Sequence, residues 1–149
     1  MLYFIHGIVG AVFGSYFSNI WVIILLGILS HFILDMVPHW DGVFDKKLFA
    51  KKGKLSVSRK MLYTRIIDGL FTICLVVYFA SNKLVLIGIL TSLIPDLIKI
   101  FYFTPLRRSK IYLGYLKFHS KIQKEVDWKL GLLTQAIVLV LALILLILF

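Results

Sequence analysis

Residues 18–41 read SNIWVIILLGILSHFILDMVPHWD, and this stretch decides the architecture. From Ser18 to Val37 it is almost wholly apolar, and it stops at Pro38. Twenty residues in a helix span about 30 Å, the thickness of a hydrocarbon core. Lipid leaves backbone groups no partner but their own helix, so the stretch is expected to be a transmembrane helix. Near its end it carries His31 and Asp35, four residues apart and therefore on one helix face.

Working outward, four further apolar stretches follow the same reading. They cover about residues 2–17, 61–80, 84–103 and 130–149. The expected fold is an all-α integral membrane protein of five spans in one membrane domain, 1–149. Ser18-Asn19 and Ser81-Asn82-Lys83 are the only breaks between spans one and two and between spans three and four. Two tight helical hairpins are therefore expected. The opening MLYFIHG has neither the basic n-region nor the small-residue cleavage site of a signal peptide. The single cysteine, Cys74, falls mid-span and reads as a buried, inert thiol.

Composition agrees with the span count. Hydrophobic residues make up 60% of the 149, against about 45–50% for a soluble domain. The formal net charge is +10. A soluble nucleic-acid binder can be that basic but not that apolar, and a disordered tail needs low hydrophobicity. Fourteen of the 17 Lys and Arg lie in residues 38–60 and 104–129. Five spans place those two loops on one side, and the positive-inside rule makes it the cytoplasmic side. The N-terminus is then inside and the C-terminus outside.

The ionisable groups within spans gather at one depth. At about 1.5 Å per residue, His6, His31, Asp35, Asp68 and Asp96 all fall in the cytoplasmic leaflet. Such groups are costly in lipid and normally face an interior site. A His and an Asp on one face can both point at one divalent ion; the alternative is a hydrogen-bonded pair that only locks helices together.

An internal repeat adds to the pattern. Residues 26–35, LGILSHFILD, align with residues 87–96, IGILTSLIPD, and pair Asp35 with Asp96. The preceding spans match loosely at His6-Gly7 and Asp68-Gly69. Two related hairpins with a site near their interface are expected. Residues 108–124 read as an amphipathic interfacial helix. Its lysines lie along one line, and His119 falls on the opposite, apolar side with Tyr112, Tyr115 and Ile122.

The segment LGILSHFILDMVPHWDGV resembles the SHxxxDM stretch of the YdjM-like family of inner-membrane-associated metal-dependent hydrolases. ILTSLIPDL resembles that family's stretch ending in Pro-Asp, here Pro95-Asp96, and HGIVGAVFG resembles its early His segment. The resemblance implies that His6, His31, Asp35 and Asp96 are metal-site residues. It covers about a quarter of the chain. The segments stand in a different order from the family's, Leu97-Ile98-Lys99 replaces its second acid and His, and its HRGxTHS segment is absent.

These readings combine into an expected metal-dependent hydrolase. Its substrate class is a phosphoester, or related ester, of a lipid or lipid-linked molecule. His6, His31, Asp35, Asp96 and His119 are the expected metal ligands, for Zn²⁺ or Mn²⁺. Asp68, Asp41 and His39 are the candidates for proton transfer. Arg65, Lys99, Arg107 and Arg108 are the candidates for holding an anionic head group. The expected partners are membrane lipids, with no nucleic acid; the oligomeric state is open. A small transporter or ion conductor would also use convergent acids, but the outer halves of the spans carry no acid and no His. A non-enzymatic scaffold is the third reading.

Overall fold

The computed structural model describes residues 1–40 and 59–148. The described residues form six α-helices and no strand. They are α1 (Tyr3–Tyr16), α2 (Ile20–Met36), α3 (Arg59–Tyr78), α4 (Lys83–Leu97), α5 (Lys110–Ile122) and α6 (Trp128–Ile147). Two 3₁₀ segments, Ile98–Phe103 and Pro105–Arg108, join α4 to α5.

The breaks act as expected from their chemistry. Asn19 caps α2, its side chain accepting from the amides of Trp21 and Val22. Asn82 does the same for α4 through Val85, and Asp127 for α6 through Lys129 and Leu130. The fourth apolar stretch is not one α-helix as expected over 84–103. Pro95 sits inside α4, where its ring and missing N–H weaken the last turn. The α-helix ends at Leu97, and the chain continues as 3₁₀. The interfacial helix is slightly shorter than 108–124, and α6 begins two residues early, at Trp128.

Among the described residues, three helical stretches are long and apolar enough to cross a membrane: Met61–Tyr78, Lys83–Phe103 and Trp128–Ile147. α1 and α2, at 14 and 17 residues, are shorter apolar helices. The outer faces are what lipid would contact. Trp21, Leu25 and Ile33 of α2, and Leu70, Ile73 and Val77 of α3, are all exposed; Cys74, expected to be buried, is exposed beside Ile73 on α3. A water-soluble monomer rarely shows so continuous an apolar surface.

α1 is the hub, packing on α2, α3, α4 and α6. Its tightest partner is α4, because glycine lets the two backbones touch. A Cβ on Gly10 would meet the carbonyl oxygen of Gly88, and one on Gly88 would meet that of Gly10. Gly14 lies equally close to the backbone of Leu84 and Val85. Around this contact Ile8, Ala11, Val12, Leu75, Val85, Ile89 and Leu93 form the core. Close approach through small residues is the usual way to pack helices without a hydrophobic driving force. The packing departs from two equivalent hairpins: α1 and α2 both pack closely on α4, while the principal neighbour of α3 is α1.

Candidate metal centre

The polar residues lie at one end of the bundle, where α1 starts and α2 and α4 finish. Asp35, in the last turn of α2, is fully buried and stands at the middle. His31, one turn earlier, places its Nε2 3.5 Å from Asp35 Oδ2. Asp96 arrives from the end of α4, with Oδ1 3.8 Å from His31 Nε2. His119 arrives from α5. Its Nε2 lies 3.0 Å from His31 Nε2, 3.4 Å from Asp35 Oδ2 and 3.9 Å from Asp96 Oδ1.

These four residues are buried, and their four ligand atoms all lie within 4.8 Å of one another. Bonds of about 2.1 Å to a tetrahedral ion require ligand atoms roughly 3.4 Å apart. The observed separations bracket that value, so the group could hold a metal ion. The surroundings support the fit. His31 Nδ1 lies 2.8 Å from the carbonyl of Ser92. A carbonyl only accepts, so the ring proton sits on Nδ1 and the Nε2 lone pair faces the cluster. That is the orientation an outer hydrogen bond gives a metal-ligating His. Among the described residues His6 Nε2 is buried and makes no hydrogen bond, a costly condition that a further ligand on that nitrogen would relieve.

His6 and His39 flank the other oxygen of Asp35. His6 Nε2 lies 3.3 Å, and His39 Nε2 3.8 Å, from Oδ1. The terminal nitrogen of Met1 is 2.5 Å from the same oxygen and 2.7 Å from His39 Nε2. The His6 ring stacks on His31 with centroids 4.0 Å apart.

α5 closes the site from outside the spans. Its lysines face outward, while Tyr112, Leu116 and His119 are buried, as the amphipathic pattern predicts. The Tyr115 hydroxyl donates to the carbonyl of Pro95, beside Asp96, and Tyr112 donates to that of Lys99 at 3.1 Å. Burial lowers the His119 imidazole to about 4, with Lys99 adding to the effect and Asp96 and Asp35 opposing it. His119 is therefore neutral and able to ligate at neutral pH. The chain after α5 is stitched to the end of α2. The Lys124 amide donates to the Asp35 carbonyl at 3.2 Å, and the His39 and Val126 amides complete a short parallel bridge.

Other expected site residues are placed differently. Asp68 is not in the cluster. Its two oxygens accept from the amides of Tyr3 and Phe4, at 2.8 and 2.9 Å. It caps the first turn of α1, where unpaired N–H groups and the helix dipole favour a carboxylate. Arg65 lies 3.8 Å from Asp68 and over the Tyr3 ring, so its charge is directed to that cap. Lys99 forms an ion pair with Asp96 Oδ1. Arg107 and Arg108 are exposed on the second 3₁₀ segment. Asp41 lies outside the described residues.

Three polar residues at the site were not among those expected from sequence. Gln123 donates to Asp35 Oδ2 at 3.1 Å; its signal was its place one turn beyond His119. Thr134 and Gln135 of α6 donate to the carbonyls of Pro38 and Trp40. They hold the segment that carries His39, and α6 is more than an apolar anchor. Nothing in their spacing distinguishes them from ordinary polar residues of a span.

Neither family models, nor curated proteins, nor solved structures give a match to this chain. The geometry of the site therefore carries the functional argument alone.

Proposed function

We propose that this protein is a five-span membrane hydrolase that uses a divalent metal ion to cleave a phosphoester, or related ester, of a lipid or lipid-linked substrate at the cytoplasmic leaflet. The single observation that carries the reading is the convergence of His31, Asp35, Asp96 and His119 from three helices on one buried point. A mixed imidazole and carboxylate set suits Zn²⁺ or Mn²⁺ better than Ca²⁺. In this reading α1 and α2 complete the five spans beside the three longer ones. The N-terminus is cytoplasmic, and kinship is with the YdjM-like hydrolases.

A divalent ion held by these four residues would supply Lewis acidity, lowering the pKa of water to about 7 and offsetting charge on the phosphoryl oxygens. Attack by water forms one P–O bond and breaks the ester P–O bond; the water proton goes to a nearby base and the leaving oxygen takes up a proton. Of the three proton-transfer candidates, Asp68 has both oxygens engaged by α1. His39 remains at the cluster, its Nδ1 lying 2.8 Å from the Val37 carbonyl and its Nε2 facing Asp35. Lys99, part-exposed beside Asp96, is the cation best placed to meet a head group, and Arg107 and Arg108 extend positive charge from it along the connecting segments. The backbone contact of Gly10 with Gly88 closes the α1–α4 interface, which counts against an ion path between those helices.

The test is hydrolysis by purified protein in mixed micelles. Phosphatidate and a phosphodiester phospholipid are offered with Mn²⁺ or Zn²⁺. The reading predicts phosphate or head-group release that chelation abolishes, added metal restores and His31→Ala eliminates. Release indifferent to chelator, or no release from either class by metal-loaded protein, overturns it.

A further inference from the structure

The carboxylate of Asp35 is crowded on both sides by nitrogen, and only one side belongs to the four-residue group. Oδ2 faces His31, His119 and Gln123. Oδ1 faces His6 at 3.3 Å and His39 at 3.8 Å. Four imidazoles around one buried Asp exceed what a single tetrahedral ion can use together with Asp96.

The geometry points to a second divalent-metal position on the Oδ1 side of Asp35, held by His6 and His39, so that Asp35 bridges two ions. The inference rests on the metal-centre reading above and extends it.

Four observations carry it. His39 repeats the arrangement of His31: Nδ1 lies 2.8 Å from a backbone carbonyl, that of Val37, which leaves the lone pair on Nε2, with the Met1 nitrogen at 2.7 Å and Asp35 Oδ1 at 3.8 Å. Outer hydrogen bonds of this kind fix the tautomer and direction of ligating imidazoles. Second, His6 is fully buried and neither of its ring nitrogens makes a hydrogen bond among the described residues, while its Nε2 lies 3.3 Å from Asp35 Oδ1. Third, the position already attracts positive charge, because the Met1 nitrogen contacts both Asp35 Oδ1 and His39 Nε2. Fourth, His6 stacks on His31 at 4.0 Å with an interplanar angle of 22°. Parallel rings at that spacing suit ligands of two neighbouring ions, since paired metal sites hold their ions about 3.5–4 Å apart. The arrangement would make His39 a ligand in place of a proton acceptor, so the attacking water would release its proton to solvent. Two ions would offset charge on the attacking and the leaving oxygen.

The test is metal stoichiometry and electron paramagnetic resonance on the purified protein loaded with Mn²⁺. The inference predicts two Mn²⁺ per chain and an exchange-coupled spectrum in the wild-type protein. His39→Ala and His6→Ala are each expected to leave one ion with an uncoupled six-line signal. One uncoupled ion per wild-type chain, with His6→Ala and His39→Ala unchanged from it, would show that the amine alone occupies the position and would overturn the second site while leaving the first. No bound ion at all would overturn both. The wild-type spectrum decides the matter even if the variants fail to fold.

Discussion

His31 and His119 bring their Nε2 atoms to 3.0 Å across 88 positions of sequence. Two neutral imidazoles can satisfy that contact only if one donates. His31 carries its ring proton on Nδ1, toward the Ser92 carbonyl. His119 would then have to donate through Nε2, leaving its buried Nδ1 as a lone pair with no donor to meet it. A shared cation in front of both Nε2 atoms would use both facing lone pairs and leave the His119 ring proton on Nδ1. The two flanking carboxylates, Asp35 and Asp96, supply the matching negative charge.

Gln123 is the simplest outer support to remove. Its amide donates to the Asp35 oxygen that faces His31 and His119. Gln123→Ala is expected to weaken metal binding by about 10–100-fold, the usual effect of losing such a partner. Competition with a fluorescent chelator measures this, and an unchanged affinity would show that Asp35 needs no help in orientation.

Asp68 separates a structural from a catalytic role. Because both its oxygens cap α1, Asp68→Ala should cost about 0.5–2 kcal/mol of stability. Metal content should stay at the wild-type level. A thermal melt and a metal assay on the same preparation check both parts. Full stability with lost hydrolysis would return Asp68 to the chemistry.

The glycine contact between α1 and α4 predicts a sharp contrast. Gly88→Ala forces a Cβ into the Gly10 carbonyl, a backbone clash that side-chain rotation cannot relieve. Overpacking of this kind costs about 1–3 kcal/mol or more. Gly114→Ala meets nothing within 4 Å on α5, and there helix propensity favours Ala by up to about 1 kcal/mol. Melting temperatures in detergent should therefore move in opposite directions, and equal shifts would contradict the close α1–α4 approach.

The metal-free protein should lose stability in acid. Burial holds His119 at about 4, below its ordinary 6.5. Between those values the unfolded chain binds the proton and the fold does not, so stability rises with pH through that window. Melts of chelated protein should weaken as pH falls from 6.5 toward 4, and His119→Gln should flatten the slope. Identical profiles for the two proteins would remove His119 from this account.

Much of the site was legible because local spacing carried it. His31 and Asp35 share a face four residues apart, the repeat aligned Asp35 with Asp96, and the amphipathic pattern of α5 turned His119 inward. What escaped were relationships between distant segments. Asp68 looks like another intramembrane acid until the start of α1 is seen above it. Lys99 reads as a free head-group cation, whereas its closest partner is Asp96, one turn away. The end of α4 at Leu97 follows from Pro95, which an apolar count over residues 84–103 passes over. The stitching of residues 124–126 to the end of α2 uses backbone groups, which no side-chain pattern reveals.

The central claim is that His31, Asp35, Asp96 and His119 hold a metal ion. Metal content of the purified protein, wild type beside the double variant His31→Ala and His119→Ala, tests it most directly. The account predicts at least one transition-metal ion per wild-type chain, and less than about a tenth of that in a double variant that still elutes as folded protein. Equal metal in the two proteins would contradict it.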